Sequence, residues 1–184
     1  MTSLHYAVYV LGLLVAFLLL GFASPRRFQV KARRELPAPP DAVWPYLVEA
    51  ERFPTWYPFV VTCEPSGGAD GAVGSRRLVG LDRNRRLGER EEVVGQVEPM
   101  RLVALEHSRE RWDGRLALWR EGRLELRLAA SPGGSTVTGS YWFDGVGYLG
   151  RMFCLLSLRK RHEADLRLAL ANLEKRLVEK TFPA

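Results

Sequence analysis

The chain has 184 residues, 47% of them hydrophobic and 26% charged, with a formal net charge of +6. Length and apolar content suit one domain with a full core and exclude a disordered chain. Cys63 and Cys154 cannot make a disulfide framework; one disulfide between them competes with the plainer reading of two free buried thiols, and His5, His107 and His162 lack metal-ligand spacing, so no metal or other cofactor is expected.

Residues 4–23, LHYAVYVLGLLVAFLLLGFA, carry no charged side chain when His5 is neutral. About 20 residues at ~1.5 Å each match the hydrocarbon thickness of a bilayer, which predicts a transmembrane helix. A cleaved signal peptide competes, because Gly21-Phe22-Ala23 resembles a small-x-small site. Against it, no Lys or Arg precedes the run, and the run exceeds the usual apolar core of a signal. Arg26, Arg27, Lys31, Arg33 and Arg34 make residues 24–34 a basic juxtamembrane segment leading into the first strand. Positive charge on that flank keeps it cytoplasmic and can rest on anionic headgroups. The expectation is a single-pass anchor in the cell membrane with the domain on the cytoplasmic side.

Phe28 to Leu36 reads as the first strand, and Pro39 and Pro40 stop it and open a short helix. Asp41 suits the first turn of that helix, and Val43, Trp44, Leu47 and Val48 share one face. Pro45 should shorten it. Phe53, Trp56, Tyr57 and Phe59, set between Pro54 and Pro58, make a stiff aromatic corner. Val60 to Pro65 is the next strand, and Ser66 to Gly71 a turn cluster. Val73 to Leu81 and Glu89 to Val97 pair around Asp82 to Gly88, and Arg101 to Arg109 follows Pro99 as a further strand. Glu121 to Ala129 alternates Leu with charge, Ser131 to Gly134 is a strong turn, and Ser135 to Phe143 is the last strand, with Val137, Tyr141 and Phe143 on one face. From Val146 to about Lys180 the period becomes helical, with Leu155, His162, Leu166, Ala169, Leu173 and Leu177 on one stripe. An antiparallel meander followed by one long amphipathic helix is an α+β order.

The segment from Glu35 to Phe59 is similar to the opening of the SRPBCC superfamily, the START-like and polyketide cyclase/dehydrase-like proteins. Pro40, Asp41, Val43, Trp44, Trp56 and Pro58 carry the resemblance, and the later strands and last helix extend it over residues 28–180. The resemblance implies a helix-grip fold, a curved antiparallel β-sheet wrapped around a long C-terminal helix. It also implies a sheet-to-helix cavity for a hydrophobic small molecule, lipid, isoprenoid or polyketide-like. On that analogy Trp56, Tyr57, Tyr141, Phe143, Met152, Leu155, His162 and Leu166 are candidate ligand-binding residues. The plainer reading is that they fill the core.

No catalytic residue is assigned. His107 and His162 fall on apolar faces, where an imidazole acts as hydrogen-bond donor or general base, or is a satisfied core residue. Glu89, Glu91, Glu92 and Glu98 alternate imperfectly, so some face inward, but the pairing register is needed to select one. Gly145-Val146-Gly147-Tyr148-Leu149-Gly150 matches a dinucleotide fingerprint in letters, yet no second strand follows it, so close packing at a strand-to-helix turn explains it better. Arg76, Arg77, Arg83, Arg85, Arg86 and Arg90 crowd one hairpin without interleaved aromatics, which excludes single-stranded nucleic acid as a partner. They read as a solvated hairpin balanced by Glu89, Glu91 and Glu92, or as a contact for acidic headgroups or an acidic partner. Three readings remain: a membrane-anchored binding or carrier module, a cyclase- or dehydratase-type enzyme using an inward His or Glu, and a partner-docking module. The oligomeric state is left open.

Overall fold

One-sided burial sets the sheet. Strand β1 (Arg27–Leu36) alternates exposed Arg27, Gln29 and Lys31 with buried Phe28, Val30 and Ala32, as a strand with one wet face must. The computed structural model describes residues 3–108, 110–112, 115–116 and 119–181. The other strands are β2 (Val60–Gly67), β3 (Arg76–Arg83), β4 (Arg86–Glu98), β5 (Leu102–His107), β6 (Arg111–Trp112), β7 (Arg115–Leu116), β8 (Trp119–Ser131) and β9 (Gly134–Gly145). Every pairing is antiparallel, in the order β1-β9-β8-β5-β4-β3-β2, with the β6–β7 hairpin joined to β4. Register shifts between Val94 and Gln96 and between Arg120 and Arg123 mark bulges of the kind that bend a sheet.

Several boundaries differ from expectation. The loop expected over Asp82 to Gly88 shrinks to Asn84 and Arg85, because both take left-handed φ values of 54° and 64° and Arg83 pairs with Arg86. Such a two-residue turn matches the twist of its strands, so the ladder continues to the tip. Strand β2 takes in Ser66 and Gly67 of the expected turn, β5 stops at His107, and β8 starts at Trp119. Arg109, the expected end of its strand, lies outside the described residues.

Helix α2 (Pro40–Val48) starts on a proline, and Glu49 closes it by donating its N–H to the Pro45 carbonyl. Val43 and Leu47 are fully buried, while Trp44 and Val48 are half-buried. A 3₁₀ turn (Ala50–Thr55) follows. The expected single C-terminal helix is interrupted. Helix α3 (Gly147–Phe153) passes through a π turn (Cys154–Leu158) into α4 (Arg159–Thr181). The extra residue of a π turn rotates the stripe. Cys154 and Leu158 are buried, Leu155 is only partly so, and Leu156 is exposed. From Leu166 onward the expected stripe holds: Leu166, Ala169, Leu173 and Leu177 are buried in the core, joined by Leu170, and α4 packs on β1 and β9. Each such leucine contributes roughly 1.5–3 kcal/mol by burial. Asn172 donates to the Trp56 carbonyl at 3.2 Å and Arg176 to the Thr55 carbonyl at 3.1 Å, fixing α4 to the aromatic corner.

The N-terminal segment forms helix α1 (Ser3–Ala23). The structure does not support the expected membrane span: among the described residues no helix is long and apolar enough to cross a membrane. Within α1 the side chains of Leu4, Leu14, Leu18, Leu20 and Ala23 lie outside the described residues. The helix leans on α3, where the Tyr148 hydroxyl donates to the Phe17 carbonyl and its ring meets Phe17 and Phe22 edge-on.

Candidate functional site

The interior of the grip has a dry end and a polar end. At the dry end Phe28 and Phe143 stack at 5.6 Å across the β1–β9 pair, and Leu126, Val137, Leu166 and Leu170 are all buried in the same cluster. Gly139 lies under Leu166, where a Cβ would come within 2.9 Å of Cδ1, so the side chain seats directly on the sheet.

The polar end is built by strand parity. Arg90 and Glu92 share the inward face of β4 with Val94. Arg90 donates from Nε to Glu92 at 2.9 Å and from Nη1 to Glu110 at 2.9 Å, and all three side chains are buried. Burial alone would weaken the Arg90 charge, but Glu92 and Glu110 more than offset it, so the guanidinium stays protonated. Across the β4–β5 ladder His107 stands opposite Glu92, its Nε2 3.4 Å from Glu92 Oε1 without hydrogen-bond alignment. Burial, with Arg90 and His162 adding to it, pushes His107 well below the ordinary imidazole range. Tyr141 reaches over from β9 and its ring lies 5.5 Å from His107. Gly122 provides the room, since a Cβ there would come within 2.5 Å of the Tyr141 hydroxyl.

From the opposite side α4 contributes His162 and Asp165. The His162 ring packs on Phe143 at 4.7 Å, Tyr141 at 5.0 Å and Trp119 at 6.0 Å. Burial, then Arg83, Arg90 and Arg161, push its imidazole down to about 3, so it is neutral at physiological pH. Asp165 pairs with Arg83 of β3, and Arg83 also caps the Phe59 ring at 3.9 Å. Burial raises the Asp165 carboxyl, against the opposing hydrogen bond from Arg83. Burial also raises the Tyr57 phenol to about 12 and holds Tyr141 well above its ordinary value.

These groups enclose a cavity of about 40 Å³ lined by Tyr57, Pro58 and Phe59 of the corner and by Leu81, Arg83, Arg90, Glu110, Trp119, Tyr141, His162 and Asp165. Phe59 holds a left-handed φ of 66°, which a bulky residue adopts at a cost of roughly 1–3 kcal/mol. Its carbonyl accepts from Asp82 at 2.8 Å, and the Arg83 guanidinium holds the ring in place.

Of the eight residues expected to line a ligand cavity, Tyr57, Tyr141 and His162 do line this one. Trp56 is buried with its indole N–H on the Tyr46 carbonyl at 2.9 Å, and Phe143 and Leu166 are core. Met152 lies under Ser24 at the root of α1, and Leu155 is turned aside by the π turn. His107 is inward, as its strand parity suggests, but stands behind Tyr141 rather than on the cavity.

The arginine-rich hairpin is only partly a surface. Arg77 and Arg90 point inward, because the same parity that buries Val79 and Val94 buries them. Arg77 pairs with Asp70 at 3.3 Å and donates to the Val48 carbonyl, while Arg83 reaches α4. Of the four strand glutamates, Glu92 alone is buried. The sequence signal for it is its parity with Val94; Glu110 follows β5 outside any strand and carried no signal. Gly145 answers the packing reading of the glycine motif, since a Cβ there would come within 2.7 Å of the Arg151 backbone.

The family described as "Polyketide cyclase / dehydrase and lipid transport" matches residues 27–178. No curated protein matches the chain. Among solved structures, ginseng major latex-like protein 151 from Panax ginseng is similar at a TM-score of 0.68 and 11% identity, covering 84% of this chain and 99% of that one. A putative uncharacterized protein from Rhizobium leguminosarum gives 0.66 and 13%, covering 83% and 95%. Ara h 8.0201 gives 0.65 and 14%, covering 83% and 99%. At such identities the likeness shows a shared fold.

Proposed function

The chain belongs to the polyketide cyclase/dehydrase and lipid transport family, and on that premise we propose that it binds a hydrophobic small molecule, lipid, isoprenoid or polyketide-like, between the sheet and α4. The observation that carries this reading is the aromatic cavity under the Tyr57–Phe59 corner, placed where sheet and helix part. At about 40 Å³ it is far smaller than the roughly 300–1,000 Å³ of ligand pockets, so a ligand of this class enters only when the wall moves. The corner is the wall suited to move. Phe59 sits in a strained backbone conformation, and Arg83 holds the corner shut through Asp165 and the Phe59 face. Burial of ligand apolar area at roughly 25 cal/mol per Å² supplies the affinity, and no reaction is required.

Helix α1 tethers the domain to the cell membrane, with the domain on the cytoplasmic side. Support comes from the exposed Val8, Leu11, Leu13, Phe17 and Leu19 of α1 and from the basic flank that follows. A reporter active only outside the cytoplasm, fused to the C-terminus, checks the orientation; a signal from it reverses the reading. Native mass spectrometry of the full chain extracted gently from its own membranes tests the binding itself. A stoichiometric apolar adduct, lost in His162→Trp, is expected. Empty protein whose melting is unshifted by added lipids or isoprenoids would turn the assignment to partner docking.

One observation favours a second reading, acid/base catalysis of the cyclase or dehydratase kind: the buried approach of His107 to Glu92 behind Tyr141. Conversion of the co-purified adduct, abolished in His107→Gln while the adduct still binds, would put that reading first.

A further inference from the structure

We propose that the polar end of this cavity is a subsite for an uncharged oxygen, a hydroxyl or carbonyl, on an otherwise apolar ligand. The inference rests on the binding reading above and adds the ligand's head-group chemistry.

Both signs of charge line the cavity, and each has an opposite charge in contact, although Arg90 Nη2, 2.8 Å from Glu92, makes no aligned hydrogen bond. Arg83 is paired with Asp165, and Arg90 with Glu92 and Glu110. An incoming carboxylate would face Glu110 and Asp165, and an incoming ammonium would face Arg83 and Arg90. Neither could displace a partner without leaving a buried charge uncompensated, the costliest outcome in such a site. Charge of either sign is thus disfavoured.

What the cavity wall lacks is a neutral partner. Trp119 Nε1 and His162 Nε2 are buried, and neither has a hydrogen-bond partner among the described residues. The two rings are neighbours, 6.0 Å apart and edge to face, and both line the cavity. The indole N–H only donates, whereas Nε2 of a neutral imidazole donates or accepts according to tautomer. A hydroxyl satisfies the pair by accepting from Trp119 and donating to His162. A carbonyl does so by accepting from both. Tyr141 adds a phenol to the wall, and the rest, Pro58, Phe59, Leu81 and the Tyr57 ring, is apolar. A site built to hydrogen-bond an oxygen rejects the analogue that lacks it, because the buried nitrogens then stay unpaired.

Four probes on one ring skeleton test this on the full chain in mild detergent: naphthalene, 2-naphthol, 2-naphthoate and 2-naphthylmethylamine, with affinity measured by calorimetric titration. The expected result is that 2-naphthol binds at least 10-fold tighter than each of the other three. Trp119→Phe removes the N–H together with the five-membered ring, so the readout is the ratio of the two affinities within the variant, and the naphthol-over-naphthalene preference should fall to under 3-fold. His162→Phe should do the same. Equal affinity for naphthol and naphthalene, or tightest binding of the naphthoate or the amine, overturns the subsite while the binding reading stands. If none of the four binds and none shifts the melting temperature, the binding reading fails and the subsite with it.

Discussion

Lowering the pH from 7 to 5 should remove about 2 kcal/mol of stability through His162. Burial, reinforced by Arg83, Arg90 and Arg161, pushes this imidazole down to about 3 in the folded protein, whereas the unfolded chain keeps the ordinary value near 6.5. Between those values the unfolded state binds a proton that the folded state refuses. The stabilisation is therefore complete above 6.5, falls by about 1.4 kcal/mol for each pH unit below it, and is exhausted once the folded value is passed. Residual solvent contact of His162 makes 2 kcal/mol an upper bound. His107, also depressed by burial and then by Arg90, steepens the loss in the same direction. Asp165 works the other way: its raised carboxyl takes up a proton in the folded state first, which softens the loss at the acid end of the window. Urea unfolding of the full chain in detergent at pH 7, 6 and 5, beside His162→Gln, measures the effect. The wild type should lose up to about 2 kcal/mol more than the variant between pH 7 and 5. Equal losses in the two proteins would refute a buried, neutral His162.

Gly122→Ala sets a methyl group within 2.5 Å of the Tyr141 hydroxyl and should cost about 1–3 kcal/mol, read as a lower urea midpoint. Glu92→Gln leaves the fully buried Arg90 short of one carboxylate and should cost about 3–5 kcal/mol. The exposed Arg167–Glu163 pair on α4 provides the contrast: Arg167→Ala should change stability by under about 0.5 kcal/mol in the same assay. Arg83→Met removes the cation from both Asp165 and the Phe59 face, and hydrogen exchange at the Tyr57 and Phe59 amides should quicken at least 10-fold; unchanged exchange would show that Arg83 is no latch.

Much of the fold was legible because it rests on short-range rules. Parity assigned Val137, Tyr141 and Phe143 to one face, the Ser131–Gly134 turn joined the last two strands of the meander, and Pro40 opened the first short helix. The same rules underestimated the strand ends, since an Asn84-Arg85 turn with two left-handed residues looks like an ordinary polar loop until the register is known. They also drew one helix where a π turn stands, because a single extra residue hardly alters a hydrophobic period.

The candidate site was legible only in part. The family resemblance brought forward Tyr57, Tyr141 and His162 as lining residues; the strand face of Tyr141 and the helical stripe of His162 agreed with it, whereas Tyr57 in the corner had no such periodic signal. Arg90 and Arg83 looked like members of a charged hairpin. What makes them interior is the arrival of Glu110 from beyond β5 and of Asp165 from α4, 20 and 82 residues further along the chain. The sequence by itself determined the order of a meander followed by a helix, the apolar faces of the last strand and of the C-terminal half of α4, and the family. Tertiary structure alone decided which charges are buried, which nitrogens lack a partner and how little space remains, because those depend on side chains that meet only when the sheet closes on α4.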